Sequence, residues 1–243
     1  MSDPALHVVE HRADDPDAPV VVLVHGVLDT CLSFDGVVDA LAPDFTVVTY
    51  DRRGWARSAD AAPATSLADH AEDLISVMQE RRGTVVGHSY GGTVAMLAAV
   101  RRPDLVAALG VFEPSMQWLD WWPSMDTIAE QSPDEQEHFR AGLEGRPRPS
   151  PEQRAHDQAL LAEELTFIAR APLTFGELTA PRLVGRGGLS AGWRVAATDR
   201  LHEELACGLV VIEDAGHTAH RMQPKGFADF ARRVAGLADD GGG

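Results

Sequence analysis

Basic residues are scarce in this chain of 243 residues, and nearly all of them are arginine. Lys225 is the only lysine, and 21 basic residues face 37 acidic ones, which gives a formal net charge of −16. Nucleic acids and anionic membranes are bound through clustered cations that neutralise phosphate groups. The charge balance therefore argues against both as partners.

Cysteines and long apolar runs are also rare. Cys31 and Cys207 are the only cysteines, and they have neither metal-ligand spacing nor a CxxC pairing. No apolar run approaches the length of about 20 residues that spans a bilayer. The first residues lack the basic and apolar regions of a secretory signal. We therefore expect free thiols, no bound metal and a cytoplasmic location.

Apolar runs that alternate with helical stretches make up much of the sequence. Continuous β-branched runs are typical of parallel strands buried on both faces. Their alternation with helical periods predicts an α/β fold with a mostly parallel, doubly wound sheet, in which Ser66 caps the first helix. The predicted strands cover residues 20–24, 45–50, 84–86, 107–112, 182–184 and 209–212, and the predicted helices cover residues 67–80, 93–100, 191–206 and 227–237.

The alternation stops between residues 114 and 177. This stretch contains clustered tryptophans, two possible helices and a turn-rich segment at residues 146–151. We interpret residues 114–177 as a small helical lid inserted after the strand 107–112. Residues 1–113 and 178–243 then form one α/β core, which agrees with a chain too short for two average domains.

The clustered aromatic residues of the lid predict where a substrate binds. An apolar pocket above Ser89 is expected to be lined by residues of the lid, namely Met116, Trp118, Trp121, Trp122 and Met125. Leu28 is expected to line it from the core side. Ligand pockets are mostly apolar with a few polar groups. The expected partner is therefore a small apolar substrate.

The pentapeptide Gly87-His88-Ser89-Tyr90-Gly91 stands between a predicted strand and an apolar helix. A strand that turns this tightly into a helix leaves almost no room for side chains at positions 87 and 91, and it lifts the central serine above the sheet. A serine hydroxyl becomes a useful nucleophile when an imidazole takes its proton. The motif therefore predicts Ser89 as a catalytic nucleophile.

Four segments of the chain carry a resemblance to a known family: His25-Gly26, the loop at residues 51–58, the turn around Ser89, and the sequence Asp-Ala-Gly-His at residues 214–217. In this order and spacing they resemble the α/β-hydrolase fold family, and the resemblance extends from residue 20 to residue 237. The resemblance implies the α/β-hydrolase fold, in which the strand 107–112 counts as the sixth. One departure is Ala56, where the family pattern usually has glycine. That loop is structural, so the departure has little bearing on function.

The resemblance also implies roles for individual residues. His217, directly after the last strand, is implied as the general base, with His220 as a nearby alternative that lies past the expected turn. The backbone N–H groups of Val27 and Tyr90 are implied as the two donors of the oxyanion hole. Structural roles are implied for His25 and His88.

The acid that orients His217 is not found where most family members carry it. In those members an aspartate follows the strand that here covers residues 182–184, and the alignment puts Ser190 at its position. Glu113 directly follows the strand 107–112, and in this placement the chain is similar to haloalkane dehalogenases and zearalenone-lactone hydrolases. We therefore predict Glu113 as the acid, in preference to Asp199 and Asp214.

These residues predict a serine hydrolase that cleaves a carboxylic ester or lactone through an acyl-enzyme, without a cofactor. Haloalkane dehalogenases and epoxide hydrolases carry aspartate at the elbow, so Ser89 argues against both activities. Two alternatives stay open. One is a cofactor-free, ring-cleaving dioxygenase on the same fold, and the other is a non-catalytic member that binds a ligand. The expected assembly is a monomer or a homodimer.

Overall fold

A computed structural model of the chain describes residues 6–124, 150–171 and 173–240. Within these residues, seven strands form one sheet in the order β1-β3-β2-β4-β5-β6-β7. The strands are β1 (Val8–His11), β2 (Val20–Val24), β3 (Thr46–Tyr50), β4 (Gly83–His88), β5 (Val106–Phe112), β6 (Arg182–Gly187) and β7 (Gly208–Ile212). The α-helices are α1 (Asp35–Leu41), α2 (Leu67–Met78), α3 (Tyr90–Arg101), α4 (Pro151–Ala169), α5 (Gly192–Glu204), α6 (Ala219–Met222) and α7 (Pro224–Asp240).

Helices cover both faces of the sheet, because successive side chains of a strand point to opposite sides. In β2, Val22 and Val24 belong to the core beneath α2 and α3. Val21 and Leu23 belong to the opposite core, beneath α1 and α7. The predicted α/β class with a doubly wound sheet is confirmed.

All six predicted strands are present, and β1 is an additional one. It pairs antiparallel with β3, whereas every other neighbouring pair of strands is parallel. The β1 side chains are exposed or half-buried, and the strand includes Glu10 and His11. A short edge strand with polar residues lacks the continuous apolar pattern that revealed the others.

The N-termini of α2 and α4 differ in whether a serine caps the helix. Ser66 stands at the N-cap position of α2, but its side chain makes no capping hydrogen bond. Asp69 instead accepts hydrogen bonds from the backbone N–H and hydroxyl of Thr65. At the start of α4 the Ser150 side chain accepts from the Gln153 N–H at 3.1 Å, which is a regular N-cap. Among the described helices, none combines the length and apolarity needed to cross a bilayer.

The segment after β5, which is the sixth strand in the family's count, contains the predicted helical insert. Its helix α4 lies between β5 and β6 in the chain. Met125 and the part of the turn-rich segment at residues 146–149 lie outside the described residues. The division into a core and a lid with the boundaries given above stays a prediction.

Candidate active site

Ser89 occupies the sharp turn between β4 and α3 with φ of 54° and ψ of −125°. A Cβ atom at Gly87 would lie 2.3 Å from the Gly91 carbonyl oxygen, and one at Gly91 would lie 2.2 Å from the Val24 carbonyl oxygen. Both positions therefore require glycine. The Ser89 N–H donates to the Phe112 carbonyl at 2.9 Å, which ties the strained turn to the end of β5.

Glu113 is the first residue after β5, and its backbone also has a positive φ, 43°. Its Oε2 atom lies 2.8 Å from Nδ1 of His217. Its Oε1 atom accepts hydrogen bonds from the Gly187 N–H at 2.8 Å and from the Ser190 hydroxyl at 2.5 Å. Three groups from separate segments thus hold the carboxylate, which leaves it one fixed orientation toward His217.

The electrostatic environment keeps the Glu113 carboxylate charged. Burial by itself would raise the pKa of Glu113, but the hydrogen bond and charge of His217, the charge of Arg194 and the Ser190 hydroxyl lower it below its ordinary value. Arg194 Nε lies 3.9 Å from Glu113 Oε2. A charged carboxylate at Nδ1 favours the His217 tautomer with a proton on Nδ1, so that Nε2 is the free basic nitrogen.

Ser89 and His217 both line one cavity of about 290 Å³ at the carboxyl edge of the sheet. Leu28 and Trp122 contribute to its apolar wall. Met116, Trp118 and Trp121 are not among its described lining residues. The Trp118 ring instead packs edge-on against Phe175, with 6.4 Å between ring centroids.

Several cavity residues were not found by sequence reasoning. Leu161 and Leu165 of α4 lie four positions apart, so they share one helix face, and that spacing could have identified them. Trp193 of α5 adds an aromatic wall and packs edge-on against Trp122 at 5.5 Å. Besides Ser89 and His217, the polar residues that line the cavity are Asp29, His88, Ser115, Gln117, Arg194, Thr218 and Arg221.

The two predicted oxyanion donors belong to segments that adjoin Ser89. Tyr90 begins α3, so its N–H has no acceptor in a preceding helical turn. Val27 lines the cavity on the loop that follows β2. At Gly26, directly before it, a Cβ atom would lie 3.0 Å from Ser89 Cβ, so this loop passes immediately beside Ser89.

His25 supports this loop in its neutral form. Its Nδ1 lies 2.8 Å from the Gly26 carbonyl oxygen, and its Nε2 accepts from the Arg52 N–H at 2.9 Å. Burial and the charge of Arg52 lower the pKa of His25 to about 4. The ring therefore donates on one side and accepts on the other at neutral pH.

A second buried network joins the loop after β2 to the loop that carries His217. Asp29 Oδ2 lies 3.0 Å from His220 Nε2, and Asp29 Oδ1 pairs with Arg221. His88 packs against His220, and its Nε2–H donates to the His217 carbonyl at 2.8 Å. His220, the alternative to His217 as general base, thus has Asp29 as its partner. It is not among the described residues that line the cavity.

Asp29, His88 and His220 are also the kind of residues that bind metal ions, since one ligand atom from each lies within 4.8 Å of the others. The Arg221 guanidinium already balances the charge of Asp29. Burial would raise the pKa of Asp29, but His220 and Arg221 lower it below its ordinary range. Because the carboxylate has its cation, we assign this network to the positioning of the two loops.

A family model described as the alpha/beta hydrolase family matches residues 21–230. A curated relative, provisionally named carbamate hydrolase RutD, from Rhizobium rhizogenes, is 33% identical over 108 residues, which are 43% of this chain and 41% of the relative. The match thus spans less than half the length of that relative.

Solved structures with the same fold cover nearly the whole chain. An alpha/beta hydrolase from Sphaerobacter thermophilus has a TM-score of 0.66 and 24% identity, over 93% of this chain and 95% of that one. Naproxen esterase from Bacillus subtilis has a TM-score of 0.68 and 18% identity, over 96% of this chain and 88% of that one. At these identities the likeness shows the fold alone.

Proposed function

The chain belongs to the α/β hydrolase family, and from that basis we propose that it is a serine hydrolase that cleaves a carboxylic ester or lactone through an acyl-enzyme. The observation that carries the proposal is the 2.8 Å contact between Glu113 Oε2 and His217 Nδ1, at a cavity that Ser89 and His217 both line. An acid, a histidine and a serine in this relation are the parts that activate a hydroxyl nucleophile.

In the proposed reaction, His217 Nε2 accepts the Ser89 proton while Oγ attacks the carbonyl carbon of the substrate. The tetrahedral intermediate collapses and breaks the bond to the alcohol oxygen, which receives that proton from His217. Water, deprotonated by the same nitrogen, then attacks the acyl carbon; the bond to Ser89 Oγ breaks, Oγ receives that proton from His217, and the carboxylic acid is released. Glu113 stays charged throughout and stabilises the imidazolium that forms twice in each cycle.

The negative charge of the tetrahedral intermediate needs donors that are already in place. We assign them to the backbone N–H groups of Val27 and Tyr90. The placement of the Val27 loop beside Ser89 and the position of Tyr90 at the first turn of α3 support this assignment.

The proposed substrate is a small molecule with an apolar part. Leu28, Trp122, Leu161, Leu165 and Trp193 line the cavity and support this choice. The relative named as a carbamate hydrolase supports an acyl carbon as the reacting centre and adds carbamates to the compounds worth testing.

The test compares the wild type with Ser89→Ala on p-nitrophenyl esters of increasing chain length, an aryl lactone and an aryl carbamate. We expect Ser89→Ala to fold normally and to lower kcat by about 10³-fold or more, as loss of the nucleophile does in other triads. A fluorophosphonate should add one equivalent of mass to the wild type and none to the variant. Ser76→Ala, an exposed serine on α2, is the matched control.

Other results would reject the proposal in distinct ways. Turnover retained by Ser89→Ala would remove this serine as nucleophile. Oxygen uptake with a heteroaromatic substrate, without acyl-enzyme formation, would identify a dioxygenase. Saturable ligand binding with no turnover of any compound would identify a binding protein.

A further inference from the structure

Arg52 and Glu164 form a buried ion pair between the core and α4. Arg52 Nη1 lies 2.5 Å from Glu164 Oε1, and Nη2 lies 3.1 Å from Oε2, with both side chains at most 2% exposed. The Trp55 indole also donates to Glu164 Oε1 at 2.9 Å. A helix of the insert thus supplies the counter-charge for a fully buried guanidinium of the core.

The remaining donors of Arg52 all point to one loop. Its Nε donates to the His25 carbonyl at 2.9 Å, and Nη2 donates to the Gly26 carbonyl at 3.0 Å. The guanidinium also lies over the Tyr90 ring, 4.4 Å from its centroid. Arg52 therefore contacts both segments that carry the proposed oxyanion donors.

The contact with Gly26 bears directly on one of these donors. The Gly26 carbonyl and the Val27 N–H belong to the same peptide unit, which is planar and trans. A group that fixes the direction of the carbonyl oxygen also fixes the direction of the N–H on the opposite side. A cation at the oxygen further polarises the peptide, and hydrogen bonds in such a chain strengthen one another.

We propose that Arg52 and Glu164 are positioning residues for the oxyanion hole: Glu164 of α4 holds Arg52 against the Gly26–Val27 peptide, so that docking of α4 completes the Val27 donor. This inference rests on the proposed hydrolase function. On this inference, α4 of the insert helps to orient the Val27 N–H, and it also forms one wall of the cavity.

The neighbouring ion pair, Arg53 with Asp73, shows what a purely structural pair looks like here. Arg53 Nη2 lies 2.5 Å from Asp73 Oδ1, Nε lies 2.9 Å from Asp73 Oδ2, and Nη1 donates to the Ala62 carbonyl. Both residues of this pair belong to the core, and neither contacts the loop after β2 in the described structure. Asp73→Asn is therefore a matched control for the loss of a buried carboxylate beside an arginine.

The main test uses the double variant Arg52→Met with Glu164→Leu, because apolar replacement of both partners of a buried pair usually preserves folding. We expect kcat for ester hydrolysis to fall about 30-fold or more with KM changed by less than about 3-fold, since removal of one oxyanion donor lowers kcat by about 10²- to 10³-fold. Glu164→Gln should give a smaller loss of the same kind. Asp73→Asn should leave both constants near those of the wild type.

A merely structural role of α4 would instead raise KM, because Leu161 and Leu165 of this helix line the cavity. A folded double variant with wild-type kcat would therefore overturn the inference. So would a rise in KM alone.

A second measurement decides the inference without turnover. In a ¹H–¹⁵N correlation spectrum, the Val27 amide signal should move in Glu164→Gln and in the double variant, whereas that of Val234 in α7 should not. If the wild type hydrolyses none of the compounds, the proposed function fails, and this spectrum alone decides whether the pair positions the peptide. An unchanged Val27 signal would refute the positioning role.

Discussion

Glu113 and Glu164 are both buried glutamates beside the candidate active site, but Glu113 follows a strand of the sheet and Glu164 lies on the insert. Glu113 is held by groups from β6, from the loop after it and from the His217 loop. Glu164 is held by Arg52 and Trp55, and with Ile168 it is one of only two buried residues on α4 in the described structure.

This difference separates two ways of positioning a charge. The Glu113 carboxylate is fixed by the same sheet edge that positions Ser89, so it is preorganised whenever the core is folded. The Glu164 carboxylate depends on the docking of a helix with only two buried side chains among the described residues, Glu164 and Ile168; its other core contacts, such as His156 with the Gly54 carbonyl, are half-buried. Because most of its side chains are exposed, we expect α4 to open locally at lower cost than the sheet, and the loop that carries Val27 would then lose the support of Glu164.

The largest effect is expected when the charge of Glu113 is removed. Glu113→Gln should keep the fold but lower kcat by about 10³- to 10⁴-fold, because the amide no longer stabilises the correct tautomer or the imidazolium. The measurement is kcat on a p-nitrophenyl ester. Asp199→Asn, which removes the partner of Arg186 on the surface, and Asp214→Asn are the controls, with kcat within a few-fold of the wild type. Equal losses in all three variants would contradict the assignment of the acid.

A second change weakens the apolar contact of α4 and leaves its charge in place. Ile168→Ala should cost about 2–4 kcal/mol of packing free energy, since the side chain is fully buried. Hydrogen exchange should then become faster in α4 than in the sheet, and kcat/KM for long-chain esters should fall. Val234→Ala, in the opposite core, should lower global stability without selective exchange in α4. Uniform exchange in both variants would mean that the insert opens only with the whole molecule.

A third test concerns buried histidines that are neutral in the folded chain. Burial is the largest cause that lowers the pKa of each of His25, His70, His88 and His220. Below about pH 6.5 the unfolded chain binds protons that the folded chain does not, so the free energy of unfolding should fall by up to about 1.4 kcal/mol per pH unit for each histidine. For His25 the loss ends near its folded pKa of about 4.

His70 lies on α2 and faces α4, with Nε2 3.6 Å from Glu164 Oε1 and its ring centroid 6.3 Å from that of Phe167. Its two ring nitrogens have no hydrogen-bond partner among the described residues. His70→Leu should therefore reduce the slope of stability against pH by about one proton between pH 6.5 and 5. Chemical denaturation at several pH values measures this slope, and an unchanged slope would contradict a neutral His70.

The smallest effect is expected at a strained position far from the chemistry. Ala56 has φ of 45°, the left-handed region that favours glycine, and its side chain is exposed. Ala56→Gly should stabilise the fold by about 0.5–1 kcal/mol, after allowance for the greater entropy of glycine in the unfolded chain. Thermal unfolding measures the gain. Activity should not change, in contrast to substitutions at Ser89, whose positive φ belongs to the elbow.

The sequence was sufficient for the six parallel strands, because each is an apolar run, but not for the polar edge strand β1. Ser89, Glu113 and His217 each follow one of these strands, so their position at one edge of the sheet could be predicted, and their catalytic roles stay predictions. The departure at Ala56 was visible, although its strained backbone was not. Glu164 could not be identified, since it lies on a largely exposed helix and its partner Arg52 is 112 positions away. Trp118 was expected at the cavity because composition reveals an aromatic cluster but not which rings face inward.

The hydrogen bond from Ser190 to Glu113 places a second position of the chain directly beside the proposed acid. Ser190 occupies the alignment position at which most family members carry the acid, and its hydroxyl touches the very carboxylate that contacts His217. Because the two positions adjoin, we expect an aspartate at position 190 to reach the contact with His217 when Glu113 is absent. The double variant Ser190→Asp with Glu113→Ala tests this expectation. Hydrolysis above that of Glu113→Ala alone would show that the acid can be moved from the end of β5 to the loop after β6.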